Sequence, residues 1–435
     1  MFQKTALLVA FFGVSLVRGC ADEGPRPAPQ TTTAEASRPL ALAPAAPPSR
    51  HAKESCEEAP PPTIASERFS AGERAFASTR RALLEAYYDD GLTDDDLYRA
   101  AVAGMLERVD PSMHKWNKLL SPRDLAEVRS DLHGEIVGVG VQIDFSVETG
   151  RATVLAVIPG SPAERAAIHA GDEIIAVDGK LYKGKTAMDM ATDIRGAPFA
   201  KVTLTMLRGD KLEALALERQ PVALDPVVHS ALGDGVGYVR IRGFSDKTTP
   251  LVGAALDALA QTGTRSLVLD LRGNPGGAFD AAIASAGLFL PAGAPVTLLE
   301  RRGHKVETIA AKGGAKLAGI PIAVLVDRWT ASGGELVAAA LAEGRGAQLV
   351  GRPTLGKWSV QTIDELSNGY AIKYTTSLFA SPSGKRPSGT GLVPDVDVEL
   401  DEKEVERACA IAEPEKRLAA DVQLRAAVAL LRARR

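Results

Sequence analysis

Residues 329–361 read WTASGGELVAAALAEGRGAQLVGRPTLGKWSVQ, and the interpretation of the whole chain starts from this stretch. The apolar run VLV precedes it and the alanine-rich LVAAALAE lies within it, which predicts a strand, a turn at 330–334 and a helix. The turn puts Ser332 at the N-terminus of that helix, where the positive end of the helix favours developing negative charge. Ser332 is therefore a candidate nucleophile, and it needs a base to accept its proton.

Lys357 is the candidate base. No histidine follows His304, and none of the six histidines lies in a recognisable triad motif. Burial beside Leu355 and Trp358 would lower the pKa of Lys357 and leave a neutral amine, as in Ser-Lys dyads. Taken singly, the residues also fit plainer interpretations, because Ser332 and Glu335 have capping-box spacing and a lone lysine is usually solvated.

Two motifs in this stretch resemble the paired signature of the C-terminal processing peptidases, also called tail-specific proteases. They are TASGGE at 330–335 and GKWSVQ at 356–361. In that family a lysine follows the serine by 25 positions, as here (357 − 332 = 25), and a glutamine follows four residues later. The resemblance implies Ser332 as nucleophile, Lys357 as general base and Gln361 as the group that orients the lysine amine. It implies no metal and no cofactor.

The stretch departs from the family pattern at two places. Gly333 and Gly334 stand where small Ala and Ser are usual, and Trp358 replaces the glycine that commonly follows the lysine. A tryptophan beside the base would either narrow the cleft or help to dehydrate the lysine, and the sequence leaves both interpretations open.

A second glycine-rich segment, LDLRGNPGG at 269–277, ends a predicted buried strand. Such a turn can bind phosphate, so nucleotide binding is an alternative, although GK[ST] and GxGxxG are both absent. In the peptidase family the same turn supplies a backbone N–H to the oxyanion hole. Gly276 or Gly277 would serve here, together with the amide of Gly333, because a tetrahedral oxyanion needs two donors.

The region before this core resembles a PDZ domain. Short strand patterns fill it, and PGSPAERAAIHAGDEIIAVDGK at 159–180 carries the most specific part of the match. In PDZ domains a peptide adds to the sheet as a strand while loop amides bind its terminal carboxylate. The resemblance places that loop at Gly138, Val139, Gly140 and Val141. A tight turn without a ligand is the plainer interpretation of this GVGV sequence.

The sequence predicts a multidomain α+β chain whose peptidase core has the crotonase-like (ClpP/crotonase) α/β fold that the resemblance implies. Buried strands that alternate with helices predict a parallel sheet in that core. The predicted segments are a signal peptide at 1–19, a disordered Pro/Ala-rich tether at 20–65, a helical domain at 66–132, a PDZ domain at 133–222, the peptidase core at 223–401 and C-terminal helices at 402–435.

The N-terminus indicates export. Lys4 precedes an apolar run at 6–17 that is short for a membrane span and typical of a secretory signal. Residues 17–20, VRGC, resemble a bacterial lipoprotein cleavage box, which implies lipid on Cys20 and anchoring to a membrane in the bacterial cell envelope. An ordinary signal peptide with an incidental cysteine is the alternative. Cys56 and Cys409 could pair, but their spacing does not require it.

These observations predict a serine endopeptidase that captures C-terminal tails of proteins in the periplasm. The alternative is an inactive PDZ scaffold that binds envelope proteins. A net charge of −3 provides no basic field for nucleic acid, so no nucleic-acid partner is expected. Predicted partners are proteins with accessible tails and, through the anchor, the membrane. The sequence leaves a homo-oligomer or an activator protein open.

Overall fold

The computed structural model describes residues 70–109, 116–185, 187–209, 211–223, 225–399, 411 and 413–434. These residues form two compact units, one ending at Leu119 and the other beginning at Leu120. The predicted signal peptide, the predicted lipidation site Cys20, the predicted tether, Cys56 and Cys409 all lie outside the described residues.

The first unit contains two helices, as the sequence predicts for this region. They are α1 (Ser70–Ala86) and α2 (Asp94–Val109). The guanidinium of Arg80 in α1 donates to both carboxylate oxygens of Asp94 at 2.8 Å and to the Tyr98 hydroxyl at 2.9 Å. Asp94 lies in the first turn of α2, where a negative charge interacts favourably with the helix dipole.

The second unit begins with a helix and a small β domain. After β1 (Lys118–Leu120), which spans the unit boundary, come α3 (Pro122–Leu132), β2 (Glu135–Gly138), β3 (Val141–Ser146), β4 (Arg151–Val157), α4 (Pro162–Arg165), β5 (Glu173–Val177), β6 (Lys180–Leu181), α5 (Ala187–Ile194), β7 (Lys201–Arg208), β8 (Lys211–Glu218) and β9 (Gln220–Ala223). The sheet order is β3-β4-β5-β7-β8, with β6 beside β5, and β2 pairs separately with β9. Alternate residues of β7 (Val202, Leu204 and Met206) are buried in the core of this domain.

The α/β core follows. Its elements are β10 (Val227–Ala231), β11 (Val236–Ile241), α6 (Thr248–Gln261), β12 (Ser266–Asp270), α7 (Phe279–Gly287), β13 (Pro295–Arg301), β14 (Glu307–Ala310), β15 (Ile322–Val326), α8 (Gly333–Arg345), β16 (Gln348–Gly351), β17 (Ser359–Glu365), β18 (Ala371–Ala380), β19 (Val396–Asp397), α9 (Pro414–Ala420) and α10 (Val422–Ala433).

The main sheet has the order β10-β11-β12-β15-β16-β19 and is parallel from β11 onward. Every residue of β12 and β15 is buried, because helices cover both faces. Leu267 and Leu269 face the cluster with α6, α7 and α8, whereas Val268 between them faces α10. The predicted parallel core is confirmed.

A second, antiparallel sheet contains β13, β14, β17 and β18. Strands β17 and β18 form a hairpin around the turn at 367–369, and residues 359–380 are called the Gln361 hairpin below. Helix α3, which the sequence assigns to the helical domain at 66–132, packs in the second unit. Its Leu125 and Val128 contact Ile363 and Ala371 of this hairpin.

Candidate active site

Ser332 lies in the turn between β15 and α8. Its φ is 53° and its ψ is −114°, a conformation that non-glycine residues rarely adopt and that costs about 1–3 kcal/mol. Hydrogen bonds hold it there, since its N–H donates to the Glu335 carboxylate and its carbonyl accepts from the Leu336 N–H, both at 2.9 Å. The predicted place of Ser332 at a helix N-terminus is confirmed. The positive end of α8 therefore favours negative charge beside the hydroxyl.

Close packing explains the two glycines that follow the serine. A Cβ at Gly333 would lie 3.0 Å from the side chains of both Ala282 and Phe244, and a Cβ at Gly334 would lie 3.0 Å from the Asn274 carbonyl. These distances are shorter than ordinary van der Waals contact. In this chain, an Ala or Ser in the first turn of α8 would therefore require its neighbours to move by a few tenths of an ångström.

The Glu335 carboxylate joins the serine turn to the lysine loop. Its Oε2 accepts from the N–H groups of Ser332 at 2.9 Å and Lys357 at 2.8 Å. Its Oε1 accepts from the Thr354 hydroxyl at 2.6 Å and the Gly356 N–H at 2.8 Å. Burial raises the pKa of Glu335, while these four donors oppose that rise. The sequence predicts only a capping-box role for Glu335 and does not predict its contacts with the lysine loop. Its capping-box spacing from Ser332 was the available sequence signal for a role at the site.

The surroundings of Lys357 suit a neutral amine. Burial, reinforced by the positive charge of Lys373 and opposed by Glu335, lowers the pKa of Lys357 to about 7. A group with that pKa is substantially deprotonated at neutral pH, as a general base must be. The loop before it is also fixed to the serine turn, because the Leu355 N–H donates to the Thr330 carbonyl at 3.0 Å.

Trp358, whose effect the sequence left open, turns into the core. It is 2% exposed, and its ring lies 5.0 Å from that of Phe379. Phe379 in turn stacks against Phe279 at the start of α7, with 5.6 Å between ring centroids. The indole is therefore a packing group of the core, which fits the interpretation that it helps to dehydrate the neighbouring lysine.

Gln361 lies on β17 next to an irregularity in the strand pairing, between Val360 and Gln361. Such bulges re-aim side chains near functional sites. The Gln361 amide nitrogen donates to the Ser359 hydroxyl at 2.8 Å and to the Thr375 hydroxyl at 3.3 Å. Because the nitrogen end is engaged, the carbonyl Oε1 is the end suited to accept from an amine.

The predicted oxyanion loop lies beside the serine. A Cβ on Gly276, whose φ is 102°, would lie 2.8 Å from the Ser332 Cβ and 2.9 Å from the Gly333 amide nitrogen. The Gly276 N–H donates to the Asn274 side-chain oxygen at 2.8 Å. Among the described residues, the N–H groups of Gly277 and Gly333 have no protein acceptor. The geometry therefore favours Gly277 over Gly276 as the partner of Gly333.

Buried ion pairs anchor the start of this loop. Arg272 is fully buried and contacts Asp270 at 2.6 Å and Asp421, at the start of α10, at 2.7 Å. Burial alone would raise the pKa of Asp270, but the Arg272 charge lowers it to about 2. The Gly273 N–H donates to both oxygens of Asp327 at 3.0 Å. The amides of Arg272, Gly273, Asn274 and Gly276 are thus used inside the protein, and the Gly277 N–H alone is too few donors for a phosphate, which argues against the alternative of phosphate binding.

The predicted carboxylate loop at Gly138, Val139, Gly140 and Val141 lies in the β domain. The carbonyls of Val139 and Gly140 accept from the N–H groups of Ala163 at 2.8 Å and Ile158 at 2.9 Å. The loop borders a groove of about 40 Å³, called the β3–α5 groove below. Apolar groups line it, including Ile143, Ile158, Ala191 and Ile194.

Within the part of the chain that the structure describes, no group of three or more His, Cys, Asp or Glu side chains could hold a metal ion. In the same residues, no helix is long and apolar enough to cross a membrane.

The fold and the site define a serine-type peptidase with a PDZ domain. The family model for Peptidase family S41 matches residues 235–398, and that for the PDZ domain matches residues 139–218. The chain belongs to peptidase family S41, among the carboxyl-terminal processing proteases. The resemblance that the sequence motifs indicated is confirmed, and so is the α+β fold class with its PDZ domain and peptidase core.

Relatives of known name support this membership. The carboxyl-terminal-processing protease of Synechocystis sp. is 34% identical over 355 residues, which cover 80% of each chain. The carboxy-terminal processing protease CtpA of Bacillus subtilis is 30% identical over 334 residues, covering 76% of this chain and 70% of that protein.

Solved structures agree. The photosystem II D1 C-terminal processing protease matches with a TM-score of 0.51 and 28% identity, covering 82% of this chain and 99% of its own. A putative S41 protease from Bacteroides fragilis shares the fold, with a TM-score of 0.54, 18% identity and coverage of 77% and 90%.

Proposed function

We propose that this serine-type peptidase is a Ser-Lys endopeptidase that captures the C-terminal tails of proteins through its PDZ domain and hydrolyses peptide bonds at Ser332. The observation that carries the proposal is the Glu335 carboxylate. One oxygen, Oε2, accepts from the N–H groups of both Ser332 and Lys357. The backbones of the proposed nucleophile and base, which come from separate segments, are thus held by the same carboxylate oxygen, and such preorganisation supports the proposed chemistry.

In acylation, the neutral Lys357 amine takes the Ser332 hydroxyl proton while the serine oxygen attacks the carbonyl carbon of the substrate. The N–H groups of Gly277 and Gly333 then donate to the oxyanion, with the N-terminus of α8 adding its positive potential. The Lys357 ammonium returns the proton to the leaving amine as the peptide C–N bond breaks. Gln361 positions the lysine by accepting from its amine through Oε1.

In deacylation, Lys357 is neutral again and takes a proton from water, whose oxygen attacks the acyl carbon. The ester bond to Ser332 breaks, and the proton returns to the serine oxygen. Before either step, the tail of the substrate adds as a strand beside β3. Its terminal carboxylate accepts from the amides of the loop at 138–141, and its last side chain enters the apolar β3–α5 groove.

The test uses the full-length chain and a reporter protein with an unfolded C-terminal tail. We expect cleavage by the wild type to rise with pH through about 7, as the Lys357 amine loses its proton. Ser332→Ala and Lys357→Ala should each lose more than about 10³-fold in kcat. Both variants should bind a tail peptide with wild-type affinity, because neither side chain belongs to the groove.

The binding measurement is the control for folding. Unchanged turnover in either variant would contradict the Ser-Lys assignment. If the wild type binds tails but cleaves no reporter at any pH, the PDZ scaffold becomes the better account of the function.

The proposed site of action is the bacterial cell envelope, with Cys20 as a lipid anchor. This part rests on the sequence of the N-terminus, an apolar run followed by VRGC at 17–20. Wild-type protein expressed in a bacterial host should fractionate with membranes and carry radiolabel from palmitate. Cys20→Ser should lose the label, and retention of label in that variant would exclude lipidation at this cysteine.

A further inference from the structure

Asp327, directly after β15, joins two segments of the core through its side chain. One carboxylate oxygen, Oδ1, accepts from the N–H groups of Trp329 at 3.0 Å and Thr330 at 2.9 Å, just before the serine. Both oxygens accept from the Gly273 N–H at 3.0 Å. A carboxylate suits this position because its two oxygens can accept several hydrogen bonds at once. Asp327 therefore connects the proposed oxyanion loop, 271–277, to the turn that carries the serine.

The ladder between β12 and β15 ends just before these two segments. Its last register pair is Asp270 with Leu325. One further hydrogen bond follows, from the Leu271 N–H to the Leu325 carbonyl at 2.9 Å. Beyond it the two segments leave the sheet, so their separation depends on individual contacts such as that of Asp327 rather than on strand pairing.

Thr330 makes a second connection on the same side. Its fully buried hydroxyl accepts from the Asp327 N–H at 3.0 Å and donates to the Leu271 carbonyl at 2.8 Å. Further along, the Asn274 carbonyl accepts from the Ala331 N–H at 2.8 Å. Asp327 thus contacts the loop directly and, through its own N–H, also orients the hydroxyl that reaches Leu271.

The donors around Asp327 support its negative charge. Burial raises the pKa of Asp327, while hydrogen bonds from Gly273 and Thr330 and the charge of Arg272 oppose that rise. Hydrogen bonds to an ionised acceptor are stronger than those to a neutral one. The ionised carboxylate therefore holds the loop and the turn more firmly than a neutral side chain of the same shape.

We propose that Asp327 is a positioning residue for the oxyanion site. By joining the loop to the turn, its carboxylate sets the separation of the Gly277 and Gly333 N–H groups. Two such donors act together only when both lie about 3 Å from the oxyanion. The proposal rests on the proposed function, because it assumes that these two N–H groups bind the oxyanion. Glu335 then fixes the base to the serine turn, and Asp327 fixes the oxyanion donors.

Asp327→Asn keeps the size of the side chain but leaves one acceptor oxygen. Either the Gly273 N–H or the N–H groups of Trp329 and Thr330 then face an amide NH₂ group, and the loop shifts from the turn. In the full-length chain we expect kcat for the tailed reporter protein to fall about 30-fold, less than the loss of a whole oxyanion donor. KM and tail-peptide affinity should stay within about twofold of the wild type. The acid limb of the pH profile, which reports Lys357, should not move.

A peptide boronic acid separates positioning from general destabilisation. The Ser332 oxygen bonds to the boron while Lys357 takes the serine proton, and the tetrahedral adduct places a boron-bound oxygen between the oxyanion donors. Because this adduct resembles the transition state, its affinity should fall in Asp327→Asn by the same factor as kcat. A loss of kcat without a loss of boronic acid affinity would contradict the proposal.

Two further variants bracket this result. Thr330→Val removes the hydroxyl between Asp327 and Leu271 and should show the same pattern with a smaller loss, about fivefold in kcat. The matched control is Asp395→Asn. Its carboxylate also accepts from a backbone N–H of the core, that of Leu349 at 2.8 Å, but near the start of β16 and away from the carboxyl ends of the strands. The control should leave kcat and boronic acid affinity unchanged.

A double-variant comparison asks whether Asp327 acts through the oxyanion donor. In a Gly277→Ala background that donor is already displaced, so Asp327→Asn should lower kcat by less than about threefold more. Combined with Lys373→Met, which removes a charge beside the base, the two losses should multiply. Losses that multiply in the Gly277→Ala background would contradict an action through the Gly277 N–H.

Crystal structures of the wild type and Asp327→Asn provide a measurement that does not depend on cleavage. The distance between the amide nitrogens of Gly277 and Gly333 should differ by more than about 0.5 Å, the tolerance of a productive site. An unchanged distance would overturn the positioning role, as would wild-type kcat in Asp327→Asn. A wild type that neither cleaves the reporter nor binds the boronic acid would instead contradict the proposed function, and the distance would still decide whether Asp327 positions the two N–H groups.

Discussion

The proposed oxyanion loop of the core and the proposed carboxylate loop of the PDZ domain both contain a glycine with positive φ that lies against a neighbouring residue. Gly277 has a φ of 133°, and a Cβ there would lie 2.1 Å from the Phe244 carbonyl oxygen. Gly140 has a φ of 83°, and a Cβ there would lie 2.2 Å from the Ser161 Cβ. In both loops glycine permits a positive φ and leaves room for a neighbouring residue that a Cβ would overlap.

The surroundings of the two loops differ. Buried polar groups hold the core loop, including the Arg272 ion pairs and the Asp327 carboxylate. The PDZ loop borders a groove lined by apolar side chains. A polar, fixed environment suits the stabilisation of a charge that exists only in the transition state, whereas an apolar groove suits ground-state binding. Matched substitutions in the two loops should therefore act on different kinetic constants.

Gly277→Ala should have the largest effect among the variants that keep Ser332 and Lys357. The new methyl group collides with the Phe244 carbonyl, so the loop must move and the Gly277 N–H no longer reaches the oxyanion. Loss of one such donor costs about 10²–10³-fold in kcat. Steady-state kinetics should show this loss in kcat, with tail-peptide affinity unchanged. Equal losses in kcat and tail affinity would contradict a role confined to the transition state.

Glu335→Gln should lower kcat/KM about 10²-fold. The amide keeps the shape of the side chain but can present only one acceptor oxygen, so two of the four donors lose their partner. Each orphaned buried donor costs about 1–3 kcal/mol, and the geometry between Ser332 and Lys357 relaxes. Thr354→Val removes a single donor to Oε1 and should cost less, about fivefold. If Glu335→Gln keeps more than half of the wild-type activity, the hydrogen bonds of the Glu335 carboxylate do not set the geometry between Ser332 and Lys357.

Gly140→Ala should act on binding alone. The added methyl group displaces the carboxylate loop from Ser161, which misaligns its amides with the tail carboxylate. We expect KM for tailed substrates to rise about tenfold, close to the contribution of one hydrogen bond to a charged group. A short substrate peptide with an amidated C-terminus, which has no carboxylate for the loop, should be cleaved at the wild-type rate. A fall in that rate would mean that the PDZ loop also supports the catalytic geometry.

The sequence predicts the parts of the site whose determinants are close together in the chain. The turn that puts Ser332 at a helix start follows from local composition, and the hairpin that carries Gln361 follows from Asn368-Gly369 and its flanking strands. The roles of Lys357 and Gln361 came from the family motif. Spacing alone could not separate a catalytic lysine from a solvated one, because its burial depends on the folded protein.

The parts that the sequence did not predict depend on contacts between distant segments. The Glu335 carboxylate accepts hydrogen bonds from a loop that lies beyond the end of its own helix. No periodic pattern in the sequence predicts that contact. The same holds for Asn274, whose side chain engages the Gly276 N–H, and for α3, whose packing on the Gln361 hairpin joins residues far apart in the chain. The buried position of Trp358 likewise depends on a distant residue, because its ring packs against that of Phe379.

Lys373→Met should give the smallest effect, and it tests the electrostatics of the base. Lys373 and Thr375 alternate with Tyr374 on β18 and therefore face the same side of the hairpin, where Thr375 contacts Gln361. After burial, the Lys373 charge is the next cause that lowers the pKa of Lys357. Removing it raises that pKa, so less of the amine is neutral at pH 7.

The acid limb of the pH profile of kcat/KM should consequently move to higher pH, while the plateau at high pH stays unchanged. Near pH 7 the rate should fall about two- to threefold. Lys373→Arg keeps the charge and should keep the limb where it is. Tail affinity should be constant in both variants, because the proposed tail site lies in the PDZ domain and not in the Gln361 hairpin. If the acid limb does not move in Lys373→Met, the Lys373 charge does not contribute to the pKa of Lys357, and burial sets that pKa. The electrostatic difference between the core site and the apolar groove would then depend on Glu335 and the proposed oxyanion loop.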